Sequence, residues 1–281
     1  MTTSDRICLV TGATSGIGAA TALGLARQGA RVVLVGRDPG KCAREVRRIQ
    51  GETGNPSIDF LVADLSAQGE IRRVAREFEQ RYERLDVLVN NAGGYFHSRQ
   101  ESVDGIEMTF ALNHLGYFLL TGLLLGRLQS SGSARVINVA SQDHRSGWID
   151  FDDLMGERGY DRRKAYAQSK LANLLFTYEL ARRLGNSGPW VNALCPGSVR
   201  TQLGANNGWL QKKFLNLVQR GRIPAEEGAD TPVYLASSPD VQGLTGRYFI
   251  RRQETPSSDA SRDAQTAERL WRLSQVLTGT A

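Results

Sequence analysis

Short runs of consecutive apolar residues recur along the chain, each followed by a stretch with helical spacing. Ile7–Val10 is the first run; a glycine turn and a helix over Ala19–Gln28 follow it. The same alternation gives a strand at Arg31–Val35 and a helix at Lys41–Gln50. It then gives a strand at Ile58–Val62, a helix at Gln68–Glu83 and a strand at Leu85–Val89. It continues with a helix over Met108–Leu128, a strand at Arg135–Val139, a helix over Tyr166–Leu184 and a strand at Trp190–Leu194. A helix near Ala225–Ser237 and a last strand at Arg247–Ile250 complete it. Continuous apolar strands separated by helices mark a parallel sheet covered on both faces. Right-handed crossovers make that sheet doubly wound. The expected fold is therefore α/β, a single domain over residues 1–281 built on a doubly wound parallel sheet of about seven strands. Three segments fall outside the alternation: 142–163, 202–222 and a tail over 253–281 with a helix near Asp263–Leu277. Long connections of this kind often serve a ligand, the alternative being a surface excursion.

Composition leaves this picture intact. With 281 residues, 41% hydrophobic and 23% charged, the chain can bury a core. Its net charge of +6 and pI near 9.4 come mostly from arginines scattered in pairs on helical faces. No binding motif or aromatic platform accompanies them, so no nucleic-acid partner is expected. Cys8, Cys42 and Cys195 form no close pair, which suits a reducing compartment. With the histidines equally scattered, no metal is expected. Asp5 and Arg6 interrupt the start before any apolar run. Leu112–Leu128 carries His114 and Arg127 and is too short to span a bilayer. A cytoplasmic location is the expectation.

Chemistry collects at the carboxyl ends of the strands. Thr11-Gly12-Ala13-Thr14-Ser15-Gly16-Ile17-Gly18 follows the first strand and opens a helix. Its glycines allow a tight turn and close backbone approach, and the helix N-terminus faces an anion such as a pyrophosphate. The second strand ends in Gly36-Arg37-Asp38, beside the expected adenosine ribose. An arginine there suits a 2′-phosphate, which favours NADP(H), with NAD(H) the alternative; Asp38 could instead cap the next helix. Asp64-Leu65 and Asn90-Asn91-Ala92-Gly93 end the next two strands.

Tyr166 and Lys170 share a helix face. A neighbouring ammonium favours the phenolate and should lower the tyrosine pKa. Ser141 ends the fifth strand and could hold a substrate oxygen. Asn113 interrupts an apolar helix, where it serves either a proton-relay water or a structural hydrogen bond.

At these residues the chain resembles the short-chain dehydrogenase/reductase family. The matching pieces are Thr11–Gly18, Asp64-Leu65, Asn90–Gly93, Asn113, Ser141, Tyr166–Lys170 and Pro196-Gly197. The resemblance implies a Rossmann-type sheet in the order 3-2-1-4-5-6-7 and a catalytic set of Asn113, Ser141, Tyr166 and Lys170. In it Ser141 orients a carbonyl and Tyr166 exchanges a proton with its oxygen. Lys170 binds the nicotinamide ribose, and Asn113 holds a water linking Lys170 to solvent. The implied cofactor set is Gly12, Thr14, Ser15, Gly16, Ile17, Gly18, Arg37, Asp64, Leu65, Asn91, Ala92, Gly93, Tyr166, Lys170, Pro196, Gly197, Val199 and Thr201. Tyr166–Asn173, Asn192–Gly197, Arg200-Thr201 and Ala267–Trp271 are similar to the retinol dehydrogenase and WW-domain oxidoreductase branch. That branch implies NADP(H) and lipophilic aldehydes, ketones or alcohols. Trp148, Phe151, Trp209, Leu210 and Phe214 would suit such a substrate, or simply pack two short helices. A dinucleotide-binding redox sensor without turnover is the competing class, and a homo-oligomer is left open.

Overall fold

The computed structural model describes residues 6–185, 188–199 and 223–281. One sheet runs through them in the order β3-β2-β1-β4-β5-β6-β7-β8. Its strands are β1 (Ile7–Thr11), β2 (Arg31–Gly36), β3 (Ile58–Val62), β4 (Val87–Asn90), β5 (Arg135–Val139), β6 (Trp190–Cys195), β7 (Arg247–Ile250) and β8 (Gln253–Glu254). The first seven are parallel, as the apolar runs predict. The addition is β8, which pairs antiparallel with β7. Its two-residue turn places Arg251 and Arg252 at φ 50° and 63°.

Helices cover both faces. Leu9, Val33, Leu88 and Val136 pack on one side against α3 (Gln68–Arg81), α5 (Gly116–Leu123) and α7 (Arg162–Leu184). Their neighbours one residue away, Cys8, Val32, Val89 and Ile137, pack on the other side. There they meet α1 (Gly16–Arg27), α2 (Pro39–Thr53) and α9 (Asp230–Ser237), the last preceded by α8 (Ala225–Gly228). The period of two within buried strands follows from alternating side-chain directions. Asp38 caps α2 by accepting from Lys41 N at 2.9 Å, the role left open for it above. Asp161 caps α7 through Arg163 N and Lys164 N at 2.8 and 2.9 Å, starting that helix four residues before Tyr166.

The long helix expected over Met108–Leu128 is broken. Met108–Phe110 (α4) is followed by a π turn at Ala111–Leu115, then α5 and α6 (Leu125–Gln129). One extra residue per turn is a local distortion often found at functional sites, and Asn113 lies inside it. The tail folds back. After α10 (Asp259–Arg262), α11 (Ala264–Thr278) lays Ala267 and Leu270 against Leu171, Ala172 and Leu175 of α7. No helix among the described residues is long and apolar enough to cross a membrane.

Candidate active site

The turn after β1 is built for close approach. Gly12 and Gly16 sit at φ +64° and +56°, a region that only glycine enters without strain. A methyl at Gly12 would lie 2.9 Å from Ala92 Cα, and one at Gly18 would overlap the Asn91 carboxamide and the Gly12 carbonyl. Ser15 caps α1 in extended geometry without a side-chain hydrogen bond. The first N–H groups of α1 therefore face the crevice, beside Ile17 in the opening turn. Thr14 fits against bare Gly36, whose added methyl would lie 2.6 Å from Thr14 Cγ2. These residues fit a dinucleotide pyrophosphate. Gly18→Ala should cost about 1–3 kcal/mol through overpacking and weaken dinucleotide binding about tenfold or more, because the cradle itself must shift. Thermal unfolding and fluorescence titration check both; unchanged affinity would remove Gly18 from the cradle.

At the other end of the cofactor groove, Arg37 Nη1 lies 4.0 Å from Asp64 Oδ2, with the two side chains 55% and 42% exposed. So exposed a pair is weak and can exchange for a stronger anion. Asp64 Oδ1 also accepts from Ser66 N and Oγ at 2.9 and 2.7 Å, and Leu65 is buried. Asn91 lies against the glycine turn: its Nδ2 donates to Thr11 O at 2.8 Å, and Asn91 N and Ala92 N donate to Thr11 Oγ1 at 2.8 and 3.0 Å. That side chain braces β1 against β4. Gly93 is half-buried and closely fitted; a Cβ there would lie 3.3 Å from Asn113 Oδ1 and 3.7 Å from Lys170 Nζ.

Ser141 lies two residues past β5 in extended backbone and caps a 3-10 turn, Gln142–Ser146. His144 secures that turn. It is fully buried, and its Nε2 accepts from Ser258 N at 3.2 Å. The proton therefore sits on Nδ1, which donates to Ser141 O at 2.6 Å. Burial lowers the His144 pKa and keeps it neutral. The tail thus reaches the backbone of Ser141 through one imidazole.

Tyr166, on α7, faces the Ser141 hydroxyl, which favours its ionised form. Tyr95, two residues beyond Gly93, sets its ring edge-on to Tyr166 at 5.4 Å. Lys170 lies one turn on, with Nζ 5.6 Å from the Tyr166 ring and 5.9 Å from the Tyr117 ring. The expected lowering of the tyrosine pKa is not what the geometry produces. Burial pushes the Tyr166 phenol well above its usual value; Asp143 and Cys195 push the same way, and only the Ser141 hydroxyl opposes them. Lys170 donates to Val139 O at 3.1 Å, and burial lowers its own pKa to about 8. A lysine so weakened and so directed does not dominate the phenol.

Asn113 is held by both ends of its carboxamide. Its Oδ1 accepts from Gly94 N at 2.8 Å, and its Nδ2 donates to Gly94 O and Ser169 Oγ, both at 3.0 Å. The carboxamide thereby ties the π turn to the loop after β4 and to α7, the structural hydrogen bond that was one of the two roles open to it.

Gly197 takes φ +85°, with Pro196 before it half-buried and Val199 after it buried. Val199 N donates to Gly197 O at 3.1 Å. Thr201, Trp209, Leu210, Phe214 and the segment 202–222 lie outside the described residues. Phe151 packs with Leu154 against α11, under the Arg269 guanidinium at 3.9 Å, so it belongs to the core. Trp148 is 49% exposed. It borders a cavity of about 340 Å³ with Asp150, Tyr160, Lys164 and Gln168, to which Ser141, Tyr166 and Lys170 contribute nothing. Sequence reasoning missed Tyr95 and Asp143. An aromatic directly after Asn-Ala-Gly-Gly, and an acid two residues past a strand-end serine, were the available signals.

Residues 6–209 match the short chain dehydrogenase family model. Human "Retinol dehydrogenase 14" is 43% identical over 291 residues, covering 98% of this chain and 86% of that relative. An uncharacterized protein from Mycobacterium Paratuberculosis has a crystal structure that superposes with TM-score 0.80 at 35% identity, covering 99% of this chain and 94% of that one. A short chain dehydrogenase from Shigella flexneri 2a, complexed with NADP, superposes with TM-score 0.69 at 27% identity, covering 89% and 98%.

Proposed function

The chain belongs to the short-chain dehydrogenase family and is an NAD(P)-dependent oxidoreductase; on that premise we propose that it is an NADP(H)-dependent carbonyl reductase or alcohol dehydrogenase for lipophilic substrates. The observation that carries this reading is the meeting of Ser141 and Tyr166 side chains at the end of β5, with Lys170 one turn further along α7. We place the active site in one domain over residues 1–281, with 142–163 and 202–222 on its substrate side and the tail over 253–281. Three buried free thiols suit the reducing cytoplasm, where we place the protein.

Bound NADPH supplies the hydride in reduction and NADP⁺ accepts it in oxidation. The chain handles the oxygen. Ser141 holds the carbonyl oxygen, and Tyr166 gives its phenolic proton to the alkoxide as it forms. A phenol held protonated has the proton that this role requires. Lys170 presents a buried ammonium to ribose hydroxyls and offsets charge on Tyr166 once it has lost its proton. Gly12, Gly16 and Gly18 admit the pyrophosphate, Gly93 and Gly197 admit the nicotinamide end, and Arg37 binds the 2′-phosphate. The name of the 43% identical retinol dehydrogenase and the aromatic edge supplied by Tyr95 support a greasy carbonyl.

A panel of aliphatic, aromatic and isoprenoid aldehydes and ketones, followed by NADPH absorbance, tests the activity; no oxidation with any of them would end the proposal. Arg37→Asp should reverse cofactor choice. A charge-assisted arginine–phosphate contact is worth about 1.5–3 kcal/mol, so the NADPH/NADH ratio of kcat/KM should fall by roughly 10- to 100-fold. An unchanged ratio would remove Arg37 from the phosphate site.

A further inference from the structure

Ser141 is held by its backbone carbonyl. The turn that it caps is a single 3-10 turn, whose hydrogen bonds are poorly aligned. The one that this turn gives to Ser141 O, from His144 N, is long at 3.3 Å. The His144 imidazole makes the closer contact, with Nδ1 2.6 Å from the same oxygen. The serine hydroxyl is tied to this turn, because Asp143 N donates to Ser141 Oγ at 3.2 Å. A hydroxyl proton rotates to suit its partner, so the one that points to exposed Asp143 Oδ2 at 3.0 Å can turn to a substrate oxygen.

The far side of the ring belongs to the tail. Ser258, immediately before α10, donates its backbone N–H to His144 Nε2 at 3.2 Å. That stretch of tail is itself anchored. Ser257 Oγ pairs with the Tyr178 hydroxyl of α7 at 2.7 Å, and Ser261 Oγ meets Ser257 Oγ at 2.7 Å and Ser258 O at 2.6 Å. From β7 the Tyr248 ring stands edge-on to the imidazole at 5.3 Å. A neutral imidazole has one donor nitrogen and one acceptor nitrogen. Ser141 O can only accept and Ser258 N can only donate, so the tautomer with its proton on Nδ1 alone satisfies both. The opposite tautomer would set a lone pair against the Ser141 carbonyl and an N–H against an N–H.

We propose that His144 is a positioning residue: the N–H of Ser258 in the tail fixes its tautomer, and the Nδ1 proton so placed holds the Ser141 carbonyl and, through that turn, the serine hydroxyl where it meets the substrate oxygen. The inference rests on Ser141 being the group that holds that oxygen. His144 touches neither substrate nor cofactor; it acts through Ser141. A segment 114 residues beyond His144 thereby decides where the hydroxyl stands.

Asparagine and glutamine divide the imidazole between them. His144→Asn sets an amide N–H where Nδ1 stands and has nothing that reaches Ser258. His144→Gln sets a carboxamide oxygen where Nε2 stands and has no donor for Ser141 O. In NADPH-dependent reduction, kcat of His144→Gln should fall by about 10- to 100-fold, the order lost when a reacting group is displaced by about 1 Å, while kcat of His144→Asn stays within about threefold of wild type. NADPH affinity should stay within about twofold in both. A merely structural histidine predicts the reverse order, because asparagine empties more of the buried site than glutamine does. In a Ser141→Ala background, His144→Gln should lower kcat by less than about twofold further, since groups that act as a unit are not additive. Wild-type kcat in His144→Gln would overturn the proposal. So would a loss in His144→Asn equal to or greater than that in His144→Gln, or a full second loss on top of Ser141→Ala. Failure of the functional reading looks different: wild type then oxidises NADPH with no carbonyl, or Ser141→Ala keeps its full kcat. Either result removes the task for which His144 would hold the hydroxyl.

Discussion

Tyr166→Phe should lower kcat/KM by about three orders of magnitude while leaving NADPH affinity within about twofold. The substitution deletes one oxygen and keeps the ring. The edge contact with Tyr95 at 5.4 Å and the ammonium of Lys170 at 5.6 Å both remain available to phenylalanine. What disappears is the proton that the alkoxide needs and the hydroxyl that meets Ser141. A positioned general acid is worth about 10²- to 10⁴-fold, and Tyr166 is the phenol on which Ser141 acts. Turnover by absorbance and NADPH binding by fluorescence make the comparison. Near-normal turnover would rule out Tyr166 as the acid. Loss of NADPH binding together with turnover would instead make its hydroxyl a structural group.

Acidification from pH 7 to 5 should destabilise the protein by about 2 kcal/mol through His114 alone. The ring is buried in the π turn, between Phe110, Phe118 and Phe176, with Nε2 paired to Ser274 Oγ at 2.9 Å. Burial drives its pKa down to about 3, opposed only by the nearby Asn173 side chain. In the unfolded chain a histidine takes up its proton near pH 6.5. Between those two values the unfolded state holds the extra proton, so stability is complete above about pH 6.5 and drains away as pH falls toward 3. The slope is about 1.4 kcal/mol per pH unit. His144, also held below its ordinary value by burial, adds to the loss in the same direction. The lowered carboxylates Asp38, Asp161 and Asp263 act in a more acidic window, beginning near their unperturbed values around pH 4. Urea denaturation at pH 7 and pH 5, with His114→Asn as the non-titrating control, isolates the histidine. Equal midpoints at the two pH values would contradict the buried neutral ring.

The parallel core was readable because buried strands such as Val32–Val35 and Val87–Val89 are apolar on both faces. The glycine cradle was readable because its backbone needs residues without side chains. Other features left no such trace. An α-helix and a π turn bury the same apolar residues, so the spacing over Met108–Leu128 cannot register one extra residue at Ala111–Leu115. The β7–β8 turn has Arg251 and Arg252 at positive φ, where asparagine and glycine are the recognisable residues. Tertiary contacts hold it: Arg252 Nε donates to Asp230 Oδ2 at 2.6 Å and Arg252 N to Thr231 Oγ1 at 3.2 Å. Side-chain aim was equally invisible. Spacing placed Lys170 beside Tyr166 but could not show that Nζ turns to Val139 O, or that the Asn113 carboxamide closes on Gly94 and Ser169. Those outcomes depend on which partner is nearest in three dimensions, and the partners are 19 to 56 residues away.

The docking of α11 has a consequence for how the protein is made. Ser274 meets His114 across 160 residues of chain, and Trp271 packs on Phe118 and Phe176 at 4.9 and 5.9 Å. During synthesis the sheet and α7 leave the ribosome before residues 264–278 do. For that interval the apolar strip of Leu171, Leu175, Phe118 and Phe176 has no cover. The nascent chain is then at its most prone to self-association and to capture by chaperones. His114, in the turn that carries Asn113, gains its Ser274 partner only when a helix translated more than a hundred and fifty codons later has docked.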